Sequence, residues 1–136
     1  MTELMVDEIK APFGPITIAS DGKRLVSLWF GPADERYTAH LRKRYPDASL
    51  KRARDPAGLS TKLRAYFKGA LDALDDIEVE TRGTEFQQTV WKELRRVRTG
   101  ETISYGELAR RIKQPKAMRA VGLANGQNPV AIVVPC

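Results

Sequence analysis

The chain has 136 residues, 42% of them hydrophobic, 29% charged and 7% aromatic, which is the profile of a folded globular protein and too apolar for disorder. Its 23 Lys and Arg stand against 17 acidic residues, and the resulting net charge of +6 favours a polyanionic partner such as nucleic acid. One cysteine and one histidine exclude an internal disulfide and a Cys/His zinc site; the apolar runs are broken by charges and no charged-then-apolar leader opens the chain, so a cytoplasmic protein with no membrane contact is expected.

Residues 5–10 read as a weak strand. Apolar runs at 16–19 and 25–30 are joined through Asp21-Gly22, a strong turn pair, so a hairpin and an antiparallel sheet are expected. In 34–45, Tyr37, Leu41 and Tyr45 recur every four residues on one helical face, and Pro46 stops that helix. Residues 51–58 are polar and read as a loop. Leu59, Leu63, Tyr66 and Phe67 give a second amphipathic helix closed by Gly69, and 77–79 is expected to return to the sheet.

The pattern turns strongly helical near Thr81-Arg82-Gly83, which predicts an α/β domain over 1–80 and a mainly helical one over 81–136. Thr84 and Gln87 have the spacing of a capping box, with Phe86, Val90, Leu94 and Val97 along one face until Gly100. A second capping box, Ser104 and Glu107, opens a short helix through Ile112. After a turn at Lys113-Gln114-Pro115, a third helix spans 116–126, and beyond Asn128-Pro129 the stretch 130–134 is expected to be extended. Two short helices about a tight turn suggest a helix-turn-helix. Neither an internal repeat nor a low-complexity tract interrupts the chain.

The third helix is unusually bare. Gly122 and Gly126 each cost about 1 kcal/mol relative to alanine, so something must require them. One reading is close packing against a neighbouring helix. The other is entry into a narrow groove: a minor groove is about 6 Å wide and admits a Gly/Ala face where bulky side chains fail. Arg119 would then sit beside the base stack. The apolar segment at the chain's end carries Cys136, the sole thiol, which by itself reads either as an inert buried residue or as a nucleophile.

From Gly83 to Cys136 the sequence strongly resembles the catalytic domain of the O6-alkylguanine-DNA alkyltransferases. The matching pieces are Gly83-Thr84-Glu85-Phe86-Gln87-Gln88 with Val90-Trp91, the run from Gly100 to Ala109 through Ser104-Tyr105-Gly106, Arg119-Ala120-Val121-Gly122, Ala124-Asn125-Gly126, Asn128-Pro129, and Ile132-Val133-Val134-Pro135-Cys136. The first 80 residues resemble the family more loosely, through Pro12-Phe13-Gly14-Pro15-Ile16 and the hairpin.

The resemblance implies an RNase H-like sheet in the first domain and a second domain whose helix-turn-helix binds the minor groove of duplex DNA carrying O6-alkylguanine. It further implies direct repair, in which the base flips out and its alkyl group passes irreversibly to Cys136, with O4-alkylthymine as a further substrate. Tyr105 would contact the flipped guanine and protonate a ring nitrogen. Arg119 would fill the gap in the stack, Ala120, Gly122, Ala124 and Gly126 would face the groove, and Asn128 would be the hinge between recognition helix and active-site segment. No cofactor or metal is implied, because the lesion is the donor, and a monomer is expected. Ser104 is a helix cap and His40 has no partner, so neither is assigned to catalysis.

The family pattern continues past Pro-Cys into His-Arg. That histidine, backed by a glutamate, deprotonates the cysteine through a water, and a further Gly/Ser/Tyr-containing loop walls the pocket. The sequence ends at Cys136, where a terminal carboxylate would disfavour the thiolate. Either further residues follow, which is the expectation, or this is a fragment of impaired activity. Two other classes compete. Alkyltransferase-like proteins share the scaffold and bind the lesion without catalysis, usually with tryptophan at the acceptor position, against which Cys136 argues. A helix-turn-helix regulator would read base edges in the major groove, for which Gly122, Ala124 and Gly126 are poor readers.

Overall fold

The structure, a computed structural model, describes residues 3–98 and 101–135. The chain divides into two units, Met1–Thr81 and Arg82–Cys136. Among the described residues no helix is long and apolar enough to cross a membrane.

The first unit is built on three apolar strands, β1 (Glu3–Ala11), β2 (Gly14–Ser20) and β3 (Leu25–Phe30), each longer than or equal to the run that announced it. β1 pairs antiparallel with β2, from Met5 opposite Ser20 to Ala11 opposite Gly14, and β2 pairs antiparallel with β3. The β2–β3 turn works as its sequence suggests: the Asp21 carboxylate accepts from the backbone N–H groups of Lys23 (3.0 Å) and Arg24 (2.7 Å), the local bonding that makes Asp a turn residue. Helix α1 (Glu35–Arg44) is capped by Asp34, whose side chain accepts from Arg36 and Tyr37. It buries Tyr37 and Leu41 against Leu4, Val6, Ala19 and Val26 of the sheet, and the Tyr37 hydroxyl meets Ser27 at 3.2 Å.

Two expectations are met only in part in this unit. The sheet is mixed rather than antiparallel, because Ser49–Arg52, partly inside the expected loop, forms β4 and pairs parallel with β1 in the order β3-β2-β1-β4. Only Leu50 of its four residues is apolar, so its pairing comes from backbone hydrogen bonds that leave no side-chain pattern. Residues 77–79 return to the sheet as an isolated parallel bridge, Leu25 to Val79, in which Leu25 N donates to the Glu78 carbonyl and Glu80 N to the Leu25 carbonyl, both at 2.9 Å. A 3-10 turn (Pro56–Gly58) leads into α2 (Leu59–Phe67), which buries Leu59 and Leu63, and the chain leaves it through Gly69 at a φ of 111°.

The second unit is helical: α3 (Glu85–Leu94), α4 (Tyr105–Arg111) and α5 (Met118–Gly126). The first capping box forms in full. Thr84 Oγ1 accepts from Gln87 N and Gln87 Oε1 from Thr84 N, both at 3.0 Å. The helix ends at Leu94, short of Val97, and the stop expected at Gly100 lies outside the described residues. The second box forms only by half: Ser104 accepts from Glu107 N at 3.0 Å, but the Glu107 carboxylate pairs with Arg110 at 2.7 Å, a charge-assisted bond stronger than one to a neutral N–H. That pairing holds the Glu107 carboxyl below its usual pKa.

Candidate functional site

α5 is fastened to α3 by the residues of the Gly-Thr-Glu-Phe-Gln-Gln motif and the tryptophan after it. The indole N–H of Trp91 donates to the Ala124 carbonyl at 2.8 Å, and Gln87 donates to Gln127 at 2.7 Å. Gly83 lies so close to the Trp91 ring that a Cβ there would stand 2.9 Å from it, so only glycine admits the indole at this depth. A buried indole bonded to a helix's last-turn carbonyl fixes that helix both by packing and by hydrogen bonding.

This anchoring divides α5 into two faces. Val121 and Ala124 are buried, whereas Arg119, Ala120, Leu123 and Gly126 are exposed. Arg119, Ala120 and Gly126 thus lie where a groove-facing role needs them. Ala124 does not: at 1% exposure beneath Trp91 it cannot line a groove, and its smallness is explained by internal packing. Leu123, 65% exposed and four residues beyond Arg119, takes the place on the open face. Its helical spacing from Arg119 was the signal available in the sequence.

The two glycines of the helix have different causes. At Gly122 a Cβ would meet the Tyr105 ring at 3.1 Å, so this position is bare because α4 packs there. At Gly126 nothing lies within 4 Å, so the protein itself makes no demand for glycine. The close-packing reading thus accounts for Gly122 and not for Gly126.

Tyr105 is the first residue of α4, half exposed, with its ring on Gly122 and its hydroxyl accepting from Asn125 Nδ2 at 3.2 Å. Asn125 had no role in the sequence reading beyond its place in Ala-Asn-Gly. Its Oδ1 is buried and has no hydrogen-bond partner among the described residues, a situation that costs about 1–3 kcal/mol.

Beyond α5 the chain turns rather than extends. Asn128 Nδ2 donates to the Val134 carbonyl at 2.6 Å, its Oδ1 accepts from Val130 N at 3.0 Å, and Val134 N reaches the Val130 carbonyl at 3.0 Å. These bonds close a loop in which Ile132 takes a φ of 78°, an outlier for a β-branched residue and the kind of strain that gathers near functional sites. The expected extended stretch is therefore corrected: the side chain of Asn128 supplies the pairing that a strand partner would have given. Val130, Val133 and Val134 are buried in this turn, and Cys136, two residues on, lies outside the described residues.

His40 belongs to the first unit, where its ring lies 4.9 Å from that of Trp29. Burial, then the nearby Arg44 and Lys43, push its pKa below the usual histidine value. The net charge is also unevenly shared. Met1–Thr81 carries thirteen basic and thirteen acidic residues, while Arg82–Cys136 carries ten basic and four acidic, so all of the +6 resides in the second unit.

Both units match known family models: residues 6–81 the ribonuclease-like domain, and residues 85–136 the DNA binding domain, of 6-O-methylguanine DNA methyltransferase. The chain is 42% identical over its whole length to the methylated-DNA–protein-cysteine methyltransferase of Shigella flexneri, of which it covers 81%. It is 44% identical to that of Mycobacterium tuberculosis, with 94% of this chain and 73% of the relative aligned. The crystal structure of M. tuberculosis O6-methylguanine methyltransferase matches 98% of this chain and 76% of its own with a TM-score of 0.78 at 38% identity, and that of M. tuberculosis OGT in complex with DNA matches with a TM-score of 0.72 at 37% identity, over 98% and 75% of the two chains. A neutral sheet unit followed by a basic helical one therefore makes up a two-domain DNA-binding protein. The chain belongs to the 6-O-methylguanine DNA methyltransferase family, whose chemistry is DNA repair by transfer of an alkyl group to a cysteine of the protein itself.

Proposed function

We propose that this chain reverses O6-alkylguanine, and O4-alkylthymine with it, by taking the alkyl group onto Cys136 after the damaged base leaves the stack. Residues 1–80 serve as scaffold and residues 81–136 as the catalytic and DNA-binding domain, working as a monomer in the cytoplasm. In this reading α4 and α5 form a helix-turn-helix whose second helix enters the minor groove. The observation that carries it is the open face of α5, on which Ala120 and Gly126 project almost nothing, Leu123 supplies one apolar side chain and Arg119 one long cation. Arg119 takes the vacated space, and Asn128 holds the turn from α5 towards Cys136 through its two bonds to the 130–134 backbone.

The chemistry then balances without a cofactor. The Cys136 thiolate forms a bond to the alkyl carbon as the carbon–O6 bond breaks, and the released electron pair passes into the guanine ring system. A guanine ring nitrogen takes the Tyr105 hydroxyl proton, which solvent later restores. The product is a thioether, a poor leaving group, so each molecule acts once.

Intact-mass measurement tests this directly. After incubation with duplex DNA containing O6-methylguanine, the full-length protein gains one methyl group, mapped to Cys136. Lesion binding without any mass gain would make the chain a non-catalytic binder instead.

A further inference from the structure

We propose that Asn125 is a positioning residue for alkyl transfer: its side-chain amide donates to the Tyr105 oxygen and so turns the Tyr105 proton towards the substrate. The inference rests on the reading of Tyr105 as proton donor.

Two contacts from one helix hold the ring of Tyr105. Gly122 supports its face so closely that a Cβ would stand 3.1 Å from the ring, and Asn125, three residues further along α5, reaches its tip with Nδ2 at 3.2 Å. A phenol has one proton to give and lone pairs to receive. Because the amide N–H fills a lone pair, the hydroxyl proton is left for a partner on the open side, where Tyr105 is 47% exposed. A residue offering only an acceptor at this position would do the reverse and draw that proton to itself.

The other end of the amide supports the same reading. Its Oδ1 is buried without a partner among the described residues, so the hydrogen-bonding capacity of Asn125 is not fully met. A side chain kept for stability would not leave a buried acceptor open, and departures of this kind concentrate at functional sites. The one bond its side chain makes among the described residues is the one to Tyr105.

The test measures transfer from free O6-benzylguanine to the full-length protein at saturating concentration, so that neither duplex binding nor base extrusion enters. Asn125→Ala is expected to slow transfer about tenfold, which is about 1.4 kcal/mol of barrier. Asn125→Asp, nearly the same shape but an acceptor only, is expected to slow it at least as much. Neither substitution should slow Tyr105→Phe further, because there is no proton left to orient. The loss should also shrink with an electron-poor purine such as the 8-aza analogue, whose departure needs less protonation. Thermal melting of each variant identifies any that fail to fold, and the near-isosteric Asn125→Asp keeps the test informative if Asn125→Ala does. Full activity in both Asn125 variants, or equal slowing with and without the Tyr105 hydroxyl, overturns the proposal and leaves Asn125 a structural residue. If Tyr105→Phe alone transfers at the full rate, the reading of Tyr105 falls and the role of Asn125 falls with it, an outcome distinct from the other two.

Discussion

The two units solve different physical problems. In Met1–Thr81 positive and negative charges balance, and exposed cations find carboxylates: Arg24 bridges Asp21 at 2.9 Å and Glu80 at 2.6 Å, and Lys62 reaches Asp76 at 3.1 Å. In Arg82–Cys136 cations are in excess, and the helix that faces outward carries Arg119 with no ion pair among the described residues. The first unit spends its sequence on a core of strands and two helices. The second uses Gly83, Gly122 and a buried indole to seat one helix, α5. Charge balance and charge excess are thus separated along the chain, and substitutions in the two units should fail in different ways.

The sharpest contrast comes from the acceptor. Cys136→Ala is expected to abolish transfer completely while leaving binding to O6-methylguanine duplexes within about twofold, read by mass and by fluorescence anisotropy. Residual transfer would place the acceptor elsewhere. In the first unit, Leu41→Ala removes a side chain with no exposure and should cost about 2–5 kcal/mol in urea unfolding. Its transfer rate at low temperature should match the parent, and a parallel loss of rate would mean the first unit contributes to the chemistry.

Arg119→Ala should slow repair in duplex DNA about ten- to a hundredfold, equivalent to about 1.4–2.7 kcal/mol, and leave transfer from free O6-benzylguanine unchanged. Equal loss on both substrates would make Arg119 a support of the fold. Salt titration sharpens the charge comparison: Lys116→Ala should flatten the slope of log affinity against log salt by up to about 0.9, and Lys51→Ala in the first unit should not change it. Identical slopes for the two would remove the link between the second unit's charge and binding. The smallest effect belongs to Gly126→Ala, which should stabilise α5 by up to about 1 kcal/mol, because nothing within 4 Å opposes a Cβ there, and yet weaken duplex binding if the proposed groove contact holds.

Legibility in the sequence followed the range of the forces involved. The β2–β3 hairpin and helix α3 were readable because Asp21, Thr84 and Gln87 act within a few residues of themselves, and α1 because Tyr37, Leu41 and Tyr45 recur on one face. β4 was not, since its partner β1 lies more than forty residues earlier and only backbone groups recognise each other. The turn at 130–134 looked like a strand because valine and isoleucine favour one, and the bonds of Asn128 override that preference. At the site, motif order pointed to Tyr105, Arg119, Asn128 and Cys136, but could not tell the buried Ala124 from the exposed Ala120, nor reveal that Asn125 touches Tyr105. Those distinctions depend on which way α5 is rolled, and Trp91 decides that from another helix.

The placement of the two tryptophans has a practical consequence. The chain has only Trp29 and Trp91, and each unit holds one. Trp29 sits partly exposed against Tyr37 and His40, while Trp91 is buried with its N–H on α5 itself. Their emission spectra should therefore differ in colour, with Trp91 the bluer. In a Trp29→Phe background the remaining fluorophore would report the seating of α5 alone, an optical gauge of that helix that needs no added dye.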